Sequence, residues 1–343
     1  MKRLLIAAVI AGILLSGCAS PPLTAQQKQY TATFLTLFDT VTSIVGRAES
    51  KEAFQITAQA VHDELLIYHQ LFDIYNDYPD IHNLKTVNDQ AGIAPVKVDR
   101  RIIDLLLDCK QYYTLTAGRV NPAMGSVLSL WHEARTAGLN DPLNAKLPDA
   151  AALEAASAHM DMELVVIDEA ASTVYLADPD MRLDVGAVAK GWAVQQVAMA
   201  SPAGLLISVG GNVCATGPKD PTGTPWVVGI RDPEGSGDDY LHTIYVADGS
   251  VVTSGDYQRV YWVDGKSYHH IIDPDTLSPS AYWRSVTIVC PDSGLADALS
   301  TALFLLPREQ GQALLDRCGA QAMWVDMDGN ISYSPGFEAM IRT

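Results

Sequence analysis

The run Leu183-Asp184-Val185-Gly186-Ala187-Val188-Ala189-Lys190-Gly191 joins an acidic residue to a lysine through a turn of small residues. Its pattern predicts that a strand ends at residues 183–185 and that a helix covers residues 187–199. Small residues at the helix start let a ligand approach the backbone, and a helix start favours anions. Lys190 would lie in the first turn, where a cation opposes the helix dipole unless an anion is nearby. The run therefore fits an anion site, and it equally fits an ordinary turn with a solvated lysine.

Outward from this run, helices and strands follow each other without a fixed repeat. Apolar residues at helical spacing predict further helices over residues 52–71, 100–117, 124–136 and 295–306. Runs rich in β-branched and aromatic residues predict strands over residues 31–47, 164–167, 173–176, 205–209, 226–231, 242–246, 251–253, 259–263, 285–290, 322–325 and 331–334. Strands and helices do not alternate as in a doubly wound sheet, so we predict an α+β fold.

The composition limits the classes of function. The chain has 343 residues, of which 48% are hydrophobic, and a formal net charge of −17. Such an acidic protein is a poor partner for nucleic acid, and an anionic ligand would need a local metal ion or local lysines and arginines. A Rossmann fingerprint and a P-loop motif are both missing from the sequence. Four cysteines beyond residue 18 show no CxxC spacing, which disfavours a zinc site.

The N-terminus has the pattern of an export signal. A basic start is followed by the apolar residues 4–15, too few to span a bilayer, and then by Leu15-Ser16-Gly17-Cys18. This resembles a bacterial lipoprotein processing box, although an ordinary secretory leader cut nearby is the alternative. We expect a signal peptide over residues 1–17, a tether over residues 18–30 and one domain over residues 31–343. Cys18 would carry lipid and anchor the protein to a membrane of the cell envelope, on the extracytoplasmic (periplasmic) side.

Asp297 and Thr301 form a second candidate site. They are four residues apart, so on the predicted helix they share one face. A carboxylate and a hydroxyl are hard oxygen donors that suit Mg²⁺, which completes its shell with water and substrate phosphates. In the alternative, Asp297 caps the helix and Thr301 bonds to the backbone of its own helix.

Two histidines and a glycine pair add weaker candidates. On a strand, His269 and His270 would point to opposite faces, which makes a poor metal pair, but one of them could accept a proton near neutral pH. Gly210 and Gly211 follow a buried strand and permit close contact with a flat ring or a phosphate, or simply form a turn.

Taken in order, these motifs resemble the ApbE family of FAD:protein FMN transferases. The resemblance begins near Phe38 and covers nearly the whole of the remaining chain. It rests on these segments: Phe38-Asp39-Thr40, Asn83-Leu84-Lys85-Thr86-Val87-Asn88, Gly118-Arg119-Val120-Asn121-Pro122, Leu130-Trp131, residues 183–191, Ser208-Val209-Gly210-Gly211, Pro225-Trp226, residues 253–257, His270-Ile271-Ile272-Asp273-Pro274 and residues 296–303.

The resemblance implies a mixed α/β core of the T-fold-like type with a cleft for FAD. It implies Mg²⁺ bound by the backbone carbonyl of Ala187 and the side chains of Asp297 and Thr301. The residues that it places around FAD are Phe38, Tyr75, Arg119, Val120, Asn121, Asp184, Lys190 and Ile272. This chain departs from many relatives at Phe38 (often methionine), Asn121 (often aspartate), Leu277 (often glycine) and Ser300 (acidic in some).

The implied reaction joins FMN to another protein. A Thr or Ser hydroxyl of an extracytoplasmic, FMN-carrying redox protein would attack the phosphorus nearest the riboflavin, and AMP would leave. Charge on the phosphates would be offset by Mg²⁺ and by Lys190. His270 is the candidate for activating the acceptor hydroxyl, with Asp256 as second choice. Two alternatives stay open: a Mg²⁺-dependent FAD pyrophosphatase that releases FMN and AMP, and a non-catalytic flavin-binding lipoprotein.

Overall fold

The computed structural model describes residues 27–235 and 239–343. The predicted signal peptide, Cys18 and most of the tether lie outside these residues. The helices are α1 (Lys51–Phe72), α2 (Leu84–Asp89), α3 (Arg100–Leu115), α4 (Gly125–Asn140), α5 (Ala150–Ser157), α6 (Ala189–Ala200), α7 (Ser293–Phe304) and α8 (Arg308–Cys318). Within the described part of the chain, no helix is both long and apolar enough to cross a bilayer.

Most of the strands follow one another directly, in the segment between α6 and α7. The strands are β1 (Lys28–Phe34), β2 (Thr42–Ala48), β3 (Val96–Lys97), β4 (Val165–Asp168), β5 (Thr173–Leu176), β6 (Leu205–Val209), β7 (Asn212–Ala215), β8 (Trp226–Arg231), β9 (Tyr240–Val246), β10 (Gly249–Gly255), β11 (Tyr261–Val263), β12 (Lys266–Tyr268), β13 (Trp283–Cys290), β14 (Gln321–Asp326) and β15 (Ile331–Tyr333).

An eight-stranded antiparallel sheet organises the molecule, in the order β1-β2-β6-β7-β10-β13-β14-β15. Successive residues of a strand point to opposite faces of the sheet. Both faces are covered by other elements and are buried. On one face, residues such as Ile207 and Val252 pack with α1, α3, α6 and α7. On the other, Val251 and Met323 pack against the two-stranded β8–β9 hairpin. The predicted α+β class is therefore confirmed.

The N-terminal strand prediction was wrong in one respect. Residues 31–47 do not form one strand, because β1 and β2 run antiparallel and a short 3₁₀ helix, Leu37–Asp39, lies in the connection between them. Phe38 and Asp39 have φ angles of 52° and 54°, a left-handed conformation that costs energy for residues with a side chain. In addition, β1 begins at Lys28, before the predicted start of the strand at residue 31.

Other differences concern short elements. Residues 183–185 form no strand, and only an isolated parallel bridge joins Arg182 to Met124. The helix expected from residue 187 begins at Ala189, and the sequence patterns missed α2, α5 and α8. Leu277, where the resemblance implies a glycine in many relatives, has a φ of 55°. Its carbonyl accepts a hydrogen bond from Nε1 of Trp131 at 2.9 Å, which helps to hold that turn in place.

Helices α6 and α7 touch through a glycine. A Cβ atom on Gly191 would lie 2.3 Å from the backbone oxygen of Ser293 and 2.5 Å from Cβ of Asp297. Any larger residue would force the two helices apart, since real Cβ atoms do not come so close to other atoms. This contact brings Asp297 beside the start of α6, which carries Lys190.

Candidate active site

A cleft of about 920 Å³ opens at one end of the central sheet. The start of α6, helices α4 and α7, and the loops after β6 and β10 all contribute to its wall. Most of the predicted site residues line it: Tyr75, Arg119, Val120, Asn121, Asp184, Ala187, Lys190, His270, Ile272, Asp297 and Thr301. Phe38 lines an adjoining pocket of about 140 Å³ that Tyr75, Asp184 and Lys190 also border.

Asp297 lies inside α7 and does not cap it. The N-cap is Asp292, whose side chain accepts the N–H of Leu295, so the capping alternative for Asp297 is wrong. Oδ2 of Asp297 accepts the N–H of Gly191 at 2.8 Å, and the residue is only 4% exposed. Its Oδ1 has no hydrogen-bond partner among the described residues.

Thr301 lies one turn further along α7 and lines the cleft. Within residues 27–235 and 239–343 its hydroxyl has no hydrogen bond, so it is not satisfied by its own helix as the alternative required. One carboxylate oxygen and one hydroxyl on the same face of a helix are thus both free toward the cleft. This donor set fits a hard divalent cation such as Mg²⁺.

Lys190 points toward the same carboxylate. Its Nζ is 3.6 Å from Oδ2 of Asp297 and donates a hydrogen bond of 3.3 Å to the carbonyl oxygen of Gly186. The side chain is therefore held at the cleft wall by α7 and by the turn before α6. The alternative in which this lysine is simply solvated does not describe it.

Asp184 lies in the turn that leads into α6. Its Oδ1 accepts the N–H of Gly186 at 2.8 Å. Removal from water raises the pKa of the Asp184 carboxyl. The hydrogen bond from Gly186 and the positive charge of Arg259 oppose this rise. The carboxylate thus belongs to the ring of charges that faces the cleft.

The two histidines have different surroundings, and neither lies on a strand as predicted, because β12 ends at Tyr268. His269 is satisfied: its Nε2 donates to the carbonyl of Ser280 at 2.8 Å, and its Nδ1 accepts the N–H of Ile271. His270 lines the cleft, and its buried Nδ1 has no hydrogen-bond partner within the described chain.

Burial and nearby positive charge keep His270 neutral. Removal from water lowers its pKa to about 3, and Arg259, His269, Lys190 and Arg135 add to the shift. A neutral imidazole nitrogen without a partner, at the wall of a cleft, is free to accept a hydrogen bond or a proton from a ligand.

Asp256 is placed differently from the other candidates. It does not line the cleft, and its Oδ2 lies 3.2 Å from Nε of Arg284. Burial raises the pKa of the Asp256 carboxyl. The structure therefore brings His270 and Lys190 to the cleft and leaves Asp256 paired with the partly buried Arg284.

Two arginines at the cleft were missed by the sequence analysis. Arg135 on α4 and Arg259 after β10 both line the cleft, and neither has an ion-pair partner among the residues that the structure describes. Burial and the charge of Arg259 lower the pKa of Arg135. Like charges held near each other without a carboxylate partner favour a bound anion. The net charge of the sequence indicated that an anionic ligand would need local cations, but it did not indicate which residues supply them.

The segment Arg119-Val120-Asn121 is tied to its surroundings. Arg119 forms ion pairs with Asp273 at 3.1 Å and with Asp275 at 2.6 Å, so its own charge is largely neutralised. Nδ2 of Asn121 donates to the carbonyl of Met160 at 2.9 Å. These contacts fix a wall that presents Val120 and the backbone rather than a free cation.

The remaining aromatic residues lie near the cleft mouth. Tyr75, 53% exposed, stacks on His132 with 5.1 Å between ring centroids. The N–H of Phe38 donates to Nδ1 of His69 at 3.3 Å, and the two rings meet edge to face. Such partly exposed rings can cover a flat ligand ring.

The glycine pair after β6 serves as a turn and also lines the cleft. Gly210 and Gly211 have φ angles of 58° and 92°, and a Cβ on Gly210 would lie 2.8 Å from the side chain of Thr40. The next residue, Asn212, is 2% exposed, yet its Nδ2 has no partner within the described residues. An unpaired buried amide at the cleft wall is costly unless a ligand binds it.

One other cluster could attract a metal ion. His159, Asp178 and Asp180 have ligand atoms within 4.8 Å of one another, and Oδ2 of Asp178 lies 2.7 Å from Nδ1 of His159. None of the three lines the cleft, so this surface cluster is distinct from the predicted Asp297–Thr301 pair.

Comparison with known proteins gives a consistent result. Residues 38–324 match the model of the ApbE family. The chain is 37% identical over 277 residues to a FAD:protein FMN transferase of Treponema pallidum, covering 76% of this chain and 75% of that protein. A FAD:protein FMN transferase of Klebsiella pneumoniae is 32% identical over 290 residues, covering 80% and 86% of the two chains.

Solved structures agree in fold. The crystal structure of the ApbE protein of Thermotoga maritima superposes with a TM-score of 0.80 at 30% identity, over 92% of this chain and 100% of that one. The flavin transferase ApbE of Vibrio cholerae gives a TM-score of 0.75 at 22% identity, over 92% and 99%, which supports the fold alone. With a family match across most of its length and relatives above 30% identity, this chain belongs to the ApbE family.

Proposed function

We propose that this protein is a Mg²⁺-dependent FAD:protein FMN transferase. It would attach FMN through a phosphoester to a Thr or Ser of a partner protein and release AMP. The name of its relatives supports the substrates, and the cleft supports the chemistry. Its volume of about 920 Å³ lies in the range of small-molecule sites.

The observation that carries the proposal is that two arginines without carboxylate partners line the same cleft as two free oxygen donors. Arg135 and Arg259 face the cleft without carboxylate partners in the described residues, while Asp297 and Thr301 offer free oxygens nearby. A ligand that satisfies both must bring negative charge to the arginines and a cation to the oxygens. A dinucleotide pyrophosphate with a divalent metal has this composition.

Ala187, Asp297 and Thr301 would hold Mg²⁺, which when bound offsets the negative charge that develops on the phosphates. The remaining contacts to FAD would come from Phe38, Tyr75, Arg119, Val120, Asn121, Asp184, Lys190 and Ile272. Among them Tyr75 and Phe38 supply aromatic surface for a flat ring, and Val120 and Ile272 supply apolar wall.

In the reaction, the acceptor hydroxyl oxygen forms a bond to the phosphorus of the FMN half. The bond from that phosphorus to the oxygen of the AMP half breaks, and AMP leaves with the electron pair. The hydroxyl proton passes to the neutral ring of His270. Lys190, Arg135 and Arg259 stabilise the phosphate oxygens by position and charge, which is the main source of catalysis in phosphoryl transfer.

The low pKa of His270 in the free protein fits this role only in the presence of substrate. Its pKa is lowered by burial and then by Arg259, His269, Lys190 and Arg135. A bound pyrophosphate would offset those positive charges and move the pKa of His270 upward, toward the range where a base accepts a proton well.

The same residues would also serve a FAD pyrophosphatase, in which water replaces the acceptor hydroxyl. The test is incubation of the protein with FAD and Mg²⁺, with and without candidate acceptor domains, followed by mass spectrometry and AMP assay. An acceptor whose mass increases by FMN supports the transferase. Release of free FMN and AMP with every acceptor left unchanged would establish the pyrophosphatase, and bound but intact FAD would establish a flavin-binding lipoprotein.

For location, we propose a lipid anchor at Cys18 on the extracytoplasmic side of a bacterial membrane. The support is the sequence of residues 1–18 alone. Expression with a radiolabelled fatty acid tests it. Label should enter the wild-type protein and not the Cys18→Ala variant, and the variant should leave the membrane fraction; equal labelling of both proteins would refute the anchor.

A further inference from the structure

The cleft extends to both faces of the central sheet, and only one side is used by the residues discussed so far. Asp297 and Thr301 belong to α7, which packs on the face that carries Ile207 and Val252. On the opposite face the cleft continues between the sheet and the β8–β9 hairpin. We call this part the hairpin arm; its lining residues are Ser43, Ser208, Thr253, Gly229, Arg231 and Tyr240.

Strand register assigns the sheet residues of the hairpin arm to that opposite face. Ser43 pairs with Ser208, which pairs with Val213, so the three point to the same side. Val213 packs against the hairpin cluster, and Thr253 is two residues beyond Val251, a member of that cluster. The arm is therefore separated from the Asp297–Thr301 pair by the end of the sheet itself.

The chemistry of the hairpin arm differs from that of the helical side. The hydroxyls of Ser43 and Ser208 have no hydrogen bonds with described residues, and Gly229 presents no side chain. Cζ of Arg231 lies 5.8 Å from the ring centroid of Tyr257, and the arginine has no ion pair in the described chain. The arm is largely polar, and its lining residues include a single arginine rather than the group of cations that would bind a pyrophosphate.

The hairpin also has an open strand edge. Strand β8 pairs only with β9 within residues 27–235 and 239–343, while β9 is bridged on its other side to Ile341. The second edge of β8 thus keeps backbone N–H and C=O groups unpaired. An extended peptide can bind such an edge through its main chain, with small side chains alternating toward the wall.

We propose that the hairpin arm binds the acceptor protein, as an extended segment whose hydroxyl residue reaches the phosphorus from the side of the sheet opposite α7. This rests on the proposed transferase function. The reaction joins two substrates at one phosphorus, so the acceptor needs an approach that FAD does not fill. Arg231, Ser43 and the edge of β8 would bind the segment, and they would contribute to acceptor affinity without contributing to FAD affinity.

The test compares Arg231→Ala and Ser43→Leu with two matched controls. Arg317→Ala removes an exposed arginine from α8, and Thr33→Leu makes the same kind of enlargement at the β1 residue that pairs with Ser43 outside the cleft. Three quantities are measured with Mg²⁺ present: FAD affinity by fluorescence, AMP release without acceptor, and FMN incorporated into a pool of short synthetic peptides that each carry one threonine. Melting temperatures establish that each variant is folded.

We expect both arm variants to lose peptide labelling by about tenfold or more, in Arg231→Ala because a charge-assisted contact is lost and in Ser43→Leu because the larger side chain fills the arm. Their FAD affinity and their AMP release without peptide should stay within about twofold of wild type, as should all three quantities in both controls. Unchanged labelling in folded Arg231→Ala and Ser43→Leu would overturn the proposal.

One further result would also overturn it. A loss of FAD affinity in the arm variants would mean that the arm holds part of the flavin. Failure of the proposed function itself has a different signature, because wild type would then label no peptide, whether it cleaves FAD to free FMN and AMP or leaves bound FAD intact.

Discussion

Nζ of Lys190 lies 3.6 Å from Oδ2 of Asp297, across the contact between α6 and α7. The carboxylate that we propose as a metal ligand is thus already partly balanced by a protein cation. Asp297 is nearly buried, so the two charges interact in a region poor in water, where such attraction is strong. A metal ion and the lysine would therefore compete for the same negative charge until phosphate is present to bind both.

Replacing Lys190 by Met tests this competition. Without FAD, we expect Mg²⁺ to bind about tenfold more tightly, because the competing ammonium is gone. FAD should bind about tenfold more weakly, since one cation at the phosphates is lost. Isothermal titration calorimetry measures both affinities, with Arg317→Ala as a control for general loss of positive charge. Weaker Mg²⁺ binding in Lys190→Met would contradict the competition.

The hydrogen bond of Asp297 to Gly191 can be tested separately from its proposed contact with the metal ion. Asp297→Asn keeps an oxygen that can accept the N–H of Gly191, whereas Asp297→Ala leaves that N–H unpaired. Both variants should lose Mg²⁺ affinity by about a hundredfold or more. Only the alanine variant should also lose about 1–3 kcal/mol of unfolding free energy, the cost of an unsatisfied buried donor. Urea denaturation beside Mg²⁺-dependent AMP release separates the effects, and an asparagine variant that still responds to Mg²⁺ as wild type does would argue against the site.

Arg135 and Arg259 should act together on FAD. Each change to Gln should weaken FAD binding by about tenfold, and more at low ionic strength, because the lost contact is electrostatic. The unfolding free energy of Arg135→Gln should stay equal or rise, since repulsion between the two arginines is relieved. Fluorescence titrations at several salt concentrations give the affinities. If both variants bound FAD as tightly as wild type does, the pyrophosphate would have to bind elsewhere.

His270 should make stability depend on pH. Its folded pKa of about 3 is below the usual 6.5, so between these values the unfolded chain binds more protons than the folded one. Stability contributed by the neutral ring is present above pH 6.5 and falls as the pH decreases toward 3, by up to about 1.4 kcal/mol per pH unit. His270→Gln cannot take up this proton. Between pH 7 and 4.5 the variant should therefore lose less unfolding free energy than wild type in urea titrations; parallel losses would show that the histidine is not buried as described.

Gly191 should be intolerant of even one added carbon. In Gly191→Ala the new Cβ meets the oxygen of Ser293 and Cβ of Asp297, so α6 and α7 must separate. We expect a loss of about 1–3 kcal/mol in unfolding free energy, together with weaker Mg²⁺ binding. Gly319→Ala at the end of α8 is a control with no atom nearby, although its left-handed backbone carries a cost of its own. A stable Gly191→Ala protein with normal metal affinity would mean that the helix spacing can relax.

The sequence predicted most long elements because their periodicity reflects which face is buried. Helices α1 and α3 and strands such as β6 and β8 appear where the apolar patterns indicated. The break between β1 and β2 was missed because it depends on left-handed Phe38 and Asp39, for which a Thr-rich alternating pattern gives no signal. Short α2 and α5 contain too few residues for a period to be seen.

Among the residues that line the cleft, those in local motifs could be named from the sequence, and those brought together by packing could not. Asp297 and Thr301 could be paired from their spacing, since a helix fixes that geometry. Arg135 and Arg259 come from a helix and a loop far apart in the chain, and only the folded sheet brings them near each other. The separate roles of His269 and His270 also depended on which of them meets Ser280, a tertiary contact.

The contact of α6 with α7 has a consequence for when the protein can first become active. The oxygens of Asp297 and Thr301 come from a helix synthesised near the end of the chain, and they meet the start of α6 only when the two helices pack through Gly191. With the proposed metal site, a growing or still unfolded polypeptide would have no means of consuming FAD. Catalytic competence would arise in one step with completion of the fold, wherever in the cell that folding takes place.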